Sequence, residues 1–510
     1  MLKRWLQCLG IASILLVMNY GALLGGGSEV RLHVPFGLEP IVLAQIADIV
    51  LLGIALFLIL WSAEGTCLQR WVRLGLVVLL PPLLLQSINA SLHRLTTAHA
   101  AVMSALWAAL VLVLFTKFPR TYHSLLKAAD GLAVFLAAFA LSSLAQLAWV
   151  AHWKPGPYRH APTWEHAHQQ PPRVHPRVVW IVFDELSYDQ LFEHRAAGLR
   201  LPNFDALRAE STLFTDVQPA GFHTEDILPS LMSGKLISEV HYSFDNRFLV
   251  HTAQTPGWQG LPGSDTLFHD AQQAGWRTAA VGWYNPYCAI DPHAIDDCYW
   301  MNLDSLDGQM SQQATFWQNV TKPLRSLWMD AVEPTRAGQE SCSFDVRQRQ
   351  HTFLDLRQHA LQLLQTDQAD FIFLHMPVPH SPNIWDRTHN TFANGCGASY
   401  LDNLALSDQV LGDFLQSLRS SPRWPQTTVV VEGDHGWRIS LWNRLPSWTA
   451  QDQAASRGVF DTRPALLLHR PGQMQPVVVQ QAWPLRTIHR VLQTIVANGS
   501  DPRPSSLPAH

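Results

Sequence analysis

Five long apolar stretches near the start of the chain constrain its fold more than any other feature. They cover residues 5–24, 41–61, 72–88, 101–115 and 132–150. Crossing the hydrocarbon core of a bilayer takes about 20 apolar residues, fewer where polar flanks snorkel. The fourth stretch is short, but residues 98–117 give it room. One such stretch alone would fit a buried helix of a soluble protein. Five in succession predict an α-helical transmembrane bundle over residues 1–151. The composition then changes, and residues 177–510 mix apolar runs with many Asp, His, Trp and Pro residues. A chain of 510 residues exceeds one ordinary domain. Its formal net charge of −4 gives no reason to expect a nucleic-acid partner.

The loops set the orientation, because basic residues collect on the cytoplasmic side. One face carries Lys3 and Arg4, then Arg70 and Arg73, then Lys117, Arg120 and Lys127; the other carries Arg31 and Arg94. The heavier basic side is read as cytoplasmic, and five spans then put everything after Val150 outside. The first stretch also has the form of a signal-peptide core behind Lys3 and Arg4. However, Gly25-Gly26-Gly27 is a poor cleavage site, so the segment is read as a retained anchor.

Residues 152–176 form a juxtamembrane linker rich in proline and histidine, which favours an extended, semi-rigid chain. Trp149, Trp153 and Trp164 are placed to sit at headgroup level. Of six cysteines, Cys288, Cys298, Cys342 and Cys396 lie in the polar half. An even set there suits an oxidising compartment, and four cysteines allow three pairings. Proximity alone favours Cys288 with Cys298 and Cys342 with Cys396, and free buried thiols are the competing reading.

Three apolar runs in the polar half share one design. Residues 178–183 lead into Asp184-Glu185. Residues 371–374 lead into His375, with His380 shortly after. Residues 427–431 lead past Glu432-Gly433 into Asp434-His435-Gly436. Continuous runs without alternation suit strands buried on both faces of a parallel sheet. Residues 279–281 and 465–468 are further strand candidates. Residues 351–364 and 404–418 show helical apolar spacing, which predicts α/β layering. In open sheets of this kind the site lies beyond the carboxyl ends of the strands. Those ends deliver Asp, Glu and His. One Asp-His or Asp-Glu pair would be no more than a cap or turn, but recurrence after separate strands points to a metal centre. Carboxylate and imidazole together suit Zn²⁺ or Mn²⁺, and less obviously Mg²⁺ or Ca²⁺. Glu432 has no assignable chemistry.

These residues resemble the alkaline phosphatase/sulfatase superfamily. Residues 182–189 (Val-Phe-Asp-Glu-Leu-Ser-Tyr-Asp) resemble its first metal motif, and Pro202-Asn203-Phe204-Asp205 with Leu207 resembles the segment that follows. Residues 224–235, ending Leu231-Met232-Ser233-Gly234-Lys235, resemble the nucleophile helix. Gly275-Trp276-Arg277-Thr278, Pro379-His380-Ser381-Pro382, Tyr400-Leu401-Asp402-Asn403 and Gly433-Asp434-His435-Gly436 continue the series in order. The resemblance implies a three-layer α/β catalytic domain with a mostly parallel sheet.

It also aligns Thr224 with the nucleophile. Sulfatases need Cys or Ser there for conversion to formylglycine, and threonine cannot be converted. In this respect, and in its five spans, the chain resembles phosphoethanolamine transferases and lipoteichoic-acid synthases. The family's Lys-Trp-His segment is replaced by Trp283-Tyr284-Asn285, so two cationic groups expected to hold a sulfate are missing. The resemblance implies a single divalent metal ion held by Thr224, Asp434 and His435 with Glu185 or Asp184, Glu185 ranking slightly ahead. It implies a catalytic or phosphate-binding role for His380 and His375, although a hydrogen-bonded core histidine suits His375 equally well. The activity implied is transfer of a phosphoethanolamine- or phosphoglycerol-type group from phospholipid to an envelope lipid or glycan, in a bacterial inner membrane with the catalytic domain in the periplasm. The alternative is a phosphodiesterase or sulfatase-like hydrolase.

Overall fold

The computed structural model describes residues 1–26, 34, 37–92, 95, 97–156, 159–160, 176–261, 265–301, 315–332, 334–366, 368–445 and 447–498. Most of the Pro/His-rich linker, with Trp164, lies outside them. The chain divides into two compact units. One comprises residues 1–30, 36–154 and 304–345, and the other 31–35, 155–303 and 346–510.

The first unit is helical. Helices Glu39–Ser62, Gln69–Leu92, Thr97–Lys117 and Pro119–Val150 each contain a segment long and apolar enough to cross a membrane, which points to a membrane-anchored protein. The first apolar stretch is long and apolar enough only as a bent pair of helices. It forms Leu2–Leu15 and a continuation from Val17, bent by 63°. The Tyr20 hydroxyl donates to the Ser13 carbonyl at the break, 3.0 Å away. Helix Leu2–Leu15 packs on Pro119–Val150 through Gly10, where a β-carbon would lie 2.6 Å from the backbone nitrogen of Ala137. Pro81 and Pro82 interrupt Gln69–Leu92. Proline has no N–H for the carbonyl four residues earlier. The Trp107 indole N–H fills that gap by donating to Val77 O at 2.9 Å. Backbone polar groups in lipid need such substitutes.

The second unit is built on a nine-stranded sheet. Its strands are β1 (Arg159–His160), β2 (Arg177–Phe183), β3 (Thr212–Phe214), β4 (Thr278–Trp283), β5 (Asp297–Met301), β6 (Phe371–Met376), β7 (Thr427–Gly433), β8 (Leu466–His469) and β9 (Val477–Val479). The order is β1-β5-β4-β6-β2-β7-β8-β3-β9. Neighbours from β5 through β7 run parallel; β8 is antiparallel to both β7 and β3. Every residue of β2, β4, β6 and β7 is buried, as their unbroken apolar runs require when both faces are covered. The Cys288–Cys298 disulfide joins the turn after β4 to β5, and Cys342 and Cys396 are also disulfide-bonded.

The central register fixes the functional edge. Met376 and Gly433 both lie opposite Phe183, so β6, β2 and β7 end level with one another. The chain leaves β2 through a turn in which Glu185 adopts φ 66°. That turn passes across the end of β7, and a β-carbon on Gly433 would lie 2.6 Å from Leu186 O. Glycine is therefore needed at the residue that launches Asp434.

Glu432 points into the core and accepts a hydrogen bond from Trp180 Nε1 at 2.7 Å, while its second oxygen has no partner among the described residues. Burial pushes this carboxyl up to about 8. The folded protein therefore holds a proton here, between the ordinary carboxylate range and about pH 8, that the unfolded chain has released. Stability from this group is complete at low pH and falls as pH rises through that window.

Two outcomes follow for the full chain in detergent. Gly433→Ala should lose about 1–3 kcal/mol, typical of a forced overlap, whereas Gly397→Ala, with open space around it, should unfold at the parent temperature. Glu432→Gln should flatten the decline in unfolding temperature between pH 5 and pH 8; an unchanged slope would place the dependence elsewhere.

Candidate active site

Because β6, β2 and β7 stop at one level, the residues following them meet. Asp184, Asp434 and His435 offer ligand atoms all within 4.8 Å of one another, and all three are buried. Helix Thr224–Ser233 brings its first residue to the same place. Its N-cap is His223, and it ends at Gly234 in the left-handed conformation. Thr224 Oγ1 donates to Asp434 Oδ2 at 2.8 Å and lies 3.5 Å from Asp184 Oδ2 and 3.4 Å from His435 Nε2. The Thr224 carbonyl accepts from Asn285 Nδ2 at 3.3 Å. The positive end of the helix dipole adds to the field on Thr224.

The tautomers follow from the acceptors. His435 Nδ1 lies 2.9 Å from Gly436 O, and His375 Nδ1 lies 2.8 Å from Trp283 O. A carbonyl only accepts, so each Nδ1 carries the proton and each Nε2 presents a lone pair. His435 Nε2 faces Asp434 Oδ2 at 3.2 Å and Asp184 Oδ1 at 3.6 Å; His375 Nε2 faces Asp184 Oδ2 at 3.8 Å. Lone pairs and carboxylate oxygens facing one another in a buried site repel. Burial first, then Asp434, pushes the Asp184 carboxyl well above its usual range. Burial opposes ionisation of Asp434 as well; His435 and His375 lower that carboxyl only when they carry a proton, while Arg438 and the backbone N–H of Glu185 favour its charged form in either case. Burial brings His375 down to about 4 and also lowers His435, so both imidazoles are neutral, as ligands must be. Asp184 Oδ1 and His375 Nε2 are buried without a hydrogen bond among the described residues. A divalent cation among Asp184, Asp434, His435 and the Thr224 hydroxyl would satisfy the two carboxylates and the His435 lone pair, so the donor set fits the metal that the fold implies.

The two adjacent carboxylates separate. Glu185 does not join the cluster through its side chain. Its backbone N–H donates to Asp434 Oδ1 at 3.0 Å, but its carboxylate accepts from Arg438 Nε at 3.1 Å and from Trp442 Nε1 at 2.8 Å. The positive φ of Glu185 turns the chain so that consecutive side chains leave in different directions. His380 lies between the rings of Trp283 and Trp442, at 5.1 and 5.0 Å. Burial, reinforced by Arg349 and Arg438, holds its imidazole well below its ordinary range.

Several participants went unread in the sequence. Arg438 is buried beside Glu185, and its guanidinium also donates to Phe222 O at 3.2 Å. Arg349 packs over the Trp283 ring at 4.1 Å and donates to Pro377 O. Tyr287 places its hydroxyl 2.7 Å from His375 Nδ1. The only available signal was position, since Arg438 and Trp442 closely follow the Asp434-His435 motif.

The sulfatase family model matches residues 176–497, well over half the chain. No curated protein matches. Among solved structures, the PsFucS1 sulfatase from Pseudoalteromonas sp. is similar at 13% identity, with 65% of this chain and 69% of that chain covered and a TM-score of 0.43. A protein of the alkaline phosphatase superfamily from Vibrio parahaemolyticus is similar at 14% identity, with 66% and 69% covered and a TM-score of 0.40. The phosphonate monoester hydrolase of Agrobacterium radiobacter is similar at 14% identity, with 63% and 74% covered and a TM-score of 0.38.

The divergence of Asp184 and Glu185 is testable by titrating bound metal on the purified full chain. Asp184→Asn should weaken divalent-metal affinity by more than about 100-fold, while Glu185→Gln should stay within the roughly 10–100-fold typical of an outer partner. The reverse ranking would put the Glu185 carboxylate on the ion.

Proposed function

Because the chain belongs to the sulfatase family, a family of metal-dependent sulfatase-like enzymes, we propose that it is a membrane-bound phosphotransferase. It takes a phosphoethanolamine- or phosphoglycerol-type group from phospholipid and passes it to an envelope lipid or glycan through a phospho-threonine intermediate. The observation that carries this reading is the Thr224 hydroxyl, buried within the Asp184–Asp434–His435 cluster and 2.8 Å from Asp434. A threonine cannot supply the formylglycine on which sulfate-ester chemistry depends.

Zn²⁺ or Mn²⁺ suits this mixture of imidazole and carboxylate, and a bound dication acidifies a coordinated hydroxyl and neutralises phosphoryl oxygens. Asp434 Oδ2 accepts the Thr224 O–H and so directs its proton inward, leaving the oxygen lone pair to face phosphorus. The bond formed is Thr224 Oγ1–P, and the bond broken joins phosphorus to the lipid alcohol, which leaves with a proton equal to the one Thr224 gave up. In the second half an acceptor hydroxyl attacks the same phosphorus, the Thr224 Oγ1–P bond breaks, and Thr224 leaves with a proton equal to the one the acceptor gives up. His380 has its Nδ1 against the Ser381 carbonyl. Nε2 of this neutral ring therefore holds the lone pair able to take the acceptor's proton. His375 holds the buried wall of the site, tied to Tyr287 and Trp283.

A lipid donor is further supported by the surroundings of Thr224. Phe222 and Phe460 meet edge to face at 6.4 Å and are 38% and 39% exposed; Val459 is 56% exposed, and Leu441 beside Arg438 is also exposed. An apolar rim beside a charged centre suits a molecule with acyl chains and a phosphate. Four membrane-length helices and disulfides in the catalytic half support an inner-membrane enzyme with a periplasmic catalytic domain.

Incubating native membranes that contain the full chain with headgroup-labelled phospholipid should trap a phosphodiester on Thr224, located by mass spectrometry. Thr224→Ala should abolish the label and lower turnover by at least on the order of a thousandfold. Label persisting in that variant would sink the proposal. Free headgroup released without any modified acceptor would replace the transferase with a hydrolase.

A further inference from the structure

Helix Phe316–Val332 lies in residues 304–345, which belong to the helical unit although the sequence on both sides of them belongs to the catalytic unit. It packs against helices Glu39–Ser62 and Gln69–Leu92. Asn319, Val320, Pro323 and Leu327 form its buried side. With 3.6 residues per turn, positions 317, 321, 325 and 328 share the opposite side. That outward side carries Trp317, Thr321, Arg325 and Trp328, all exposed, with the two tryptophans 66% and 64% exposed.

This face suits neither bulk water nor hydrocarbon. Two tryptophans with most of their surface exposed are costly in water. Arginine and threonine are costly in the acyl layer. The headgroup region accepts both, since an indole has an apolar body and a donor edge. The helices it packs against also expose apolar side chains, among them Leu51, Ile54 and Leu58 of Glu39–Ser62 and Leu79 of Gln69–Leu92.

We infer that helix Phe316–Val332 is an interfacial helix that binds the headgroup layer of the bilayer crossed by those helices, with Trp317 and Trp328 seated at its boundary and Arg325 at the level of the lipid phosphates. The inference does not depend on the transferase reading. A helix of this kind holds the membrane by buried aromatic area together with attraction to anionic lipid.

The test is nitroxide depth measurement on the full chain in vesicles of zwitterionic and anionic phospholipid. Cys8 and Cys67 are changed to serine, and single labels are placed by Trp317→Cys, Trp328→Cys and, as an aqueous reference, Ser420→Cys, an exposed site at the amino-end edge of the sheet. Labels at 317 and 328 should meet oxygen several-fold more often than a water-soluble nickel chelate, with the order reversed at 420. Nickel access at 317 and 328 equal to that at 420 would overturn the inference. So would low access to both reagents, which marks a protein contact instead. If a tryptophan replacement fails to fold, Thr321→Cys on the same side gives the same reading.

Discussion

Two carboxylates that cannot both be ionised unaided govern the catalytic half of this protein. Asp184 and Asp434 approach one another in a fully buried site, and His435 and His375 turn lone pairs toward them. The fold supplies partial compensation through Arg438, the start of helix Thr224–Ser233 and the backbone N–H of Glu185. What these leave uncompensated is what a bound dication provides. Holding the groups in this arrangement requires the level endings of β6, β2 and β7, and those endings depend on Gly433 admitting the turn that follows β2.

Much of this was legible because burial on both faces leaves a distinct mark. Unbroken runs such as Val178 to Phe183 suit central strands, and in parallel strands the acids or histidines at their ends face a common edge. Thr224 was reached by another route, the resemblance of residues 224–235 to the family's nucleophile helix. What the sequence could not reveal was direction. Asp184 and Glu185 are neighbours with the same functional group, and their separation depends on one positive φ angle. Composition carries no information about that angle. The partners of Glu185 were hidden too, since Arg438 and Trp442 lie some 250 positions away in the chain.

The helical half was legible for a different reason. Lipid demands length and apolarity, and both can be read residue by residue. Its exceptions come from local backbone chemistry. The first apolar stretch bends where the Ser13 carbonyl finds the Tyr20 hydroxyl, and Pro81 is tolerated because Trp107 serves Val77. Helix Phe316–Val332 escaped notice because it follows strand β5 of the catalytic unit, and sequence order suggested that its packing partners would be there as well.

The charge balance around Thr224 bears on what the site can hold. Trp283, Tyr284 and Asn285 stand where the family pattern carries two cations, and the nearby Arg438 is already paired with Glu185. Asp184 and Asp434 balance a dication. A site with so little spare positive charge is a poor match for a doubly charged phosphate monoester, whose second charge would have to be buried with little compensation. A phosphodiester carries one negative charge and brings two ester groups. One of those groups can extend over the apolar rim of Phe222, Val459 and Phe460, which a small hydrophilic ester would leave uncovered. The charge balance and the exposed aromatic rim are thus two separate physical grounds for the phosphodiester substrate in the proposed function.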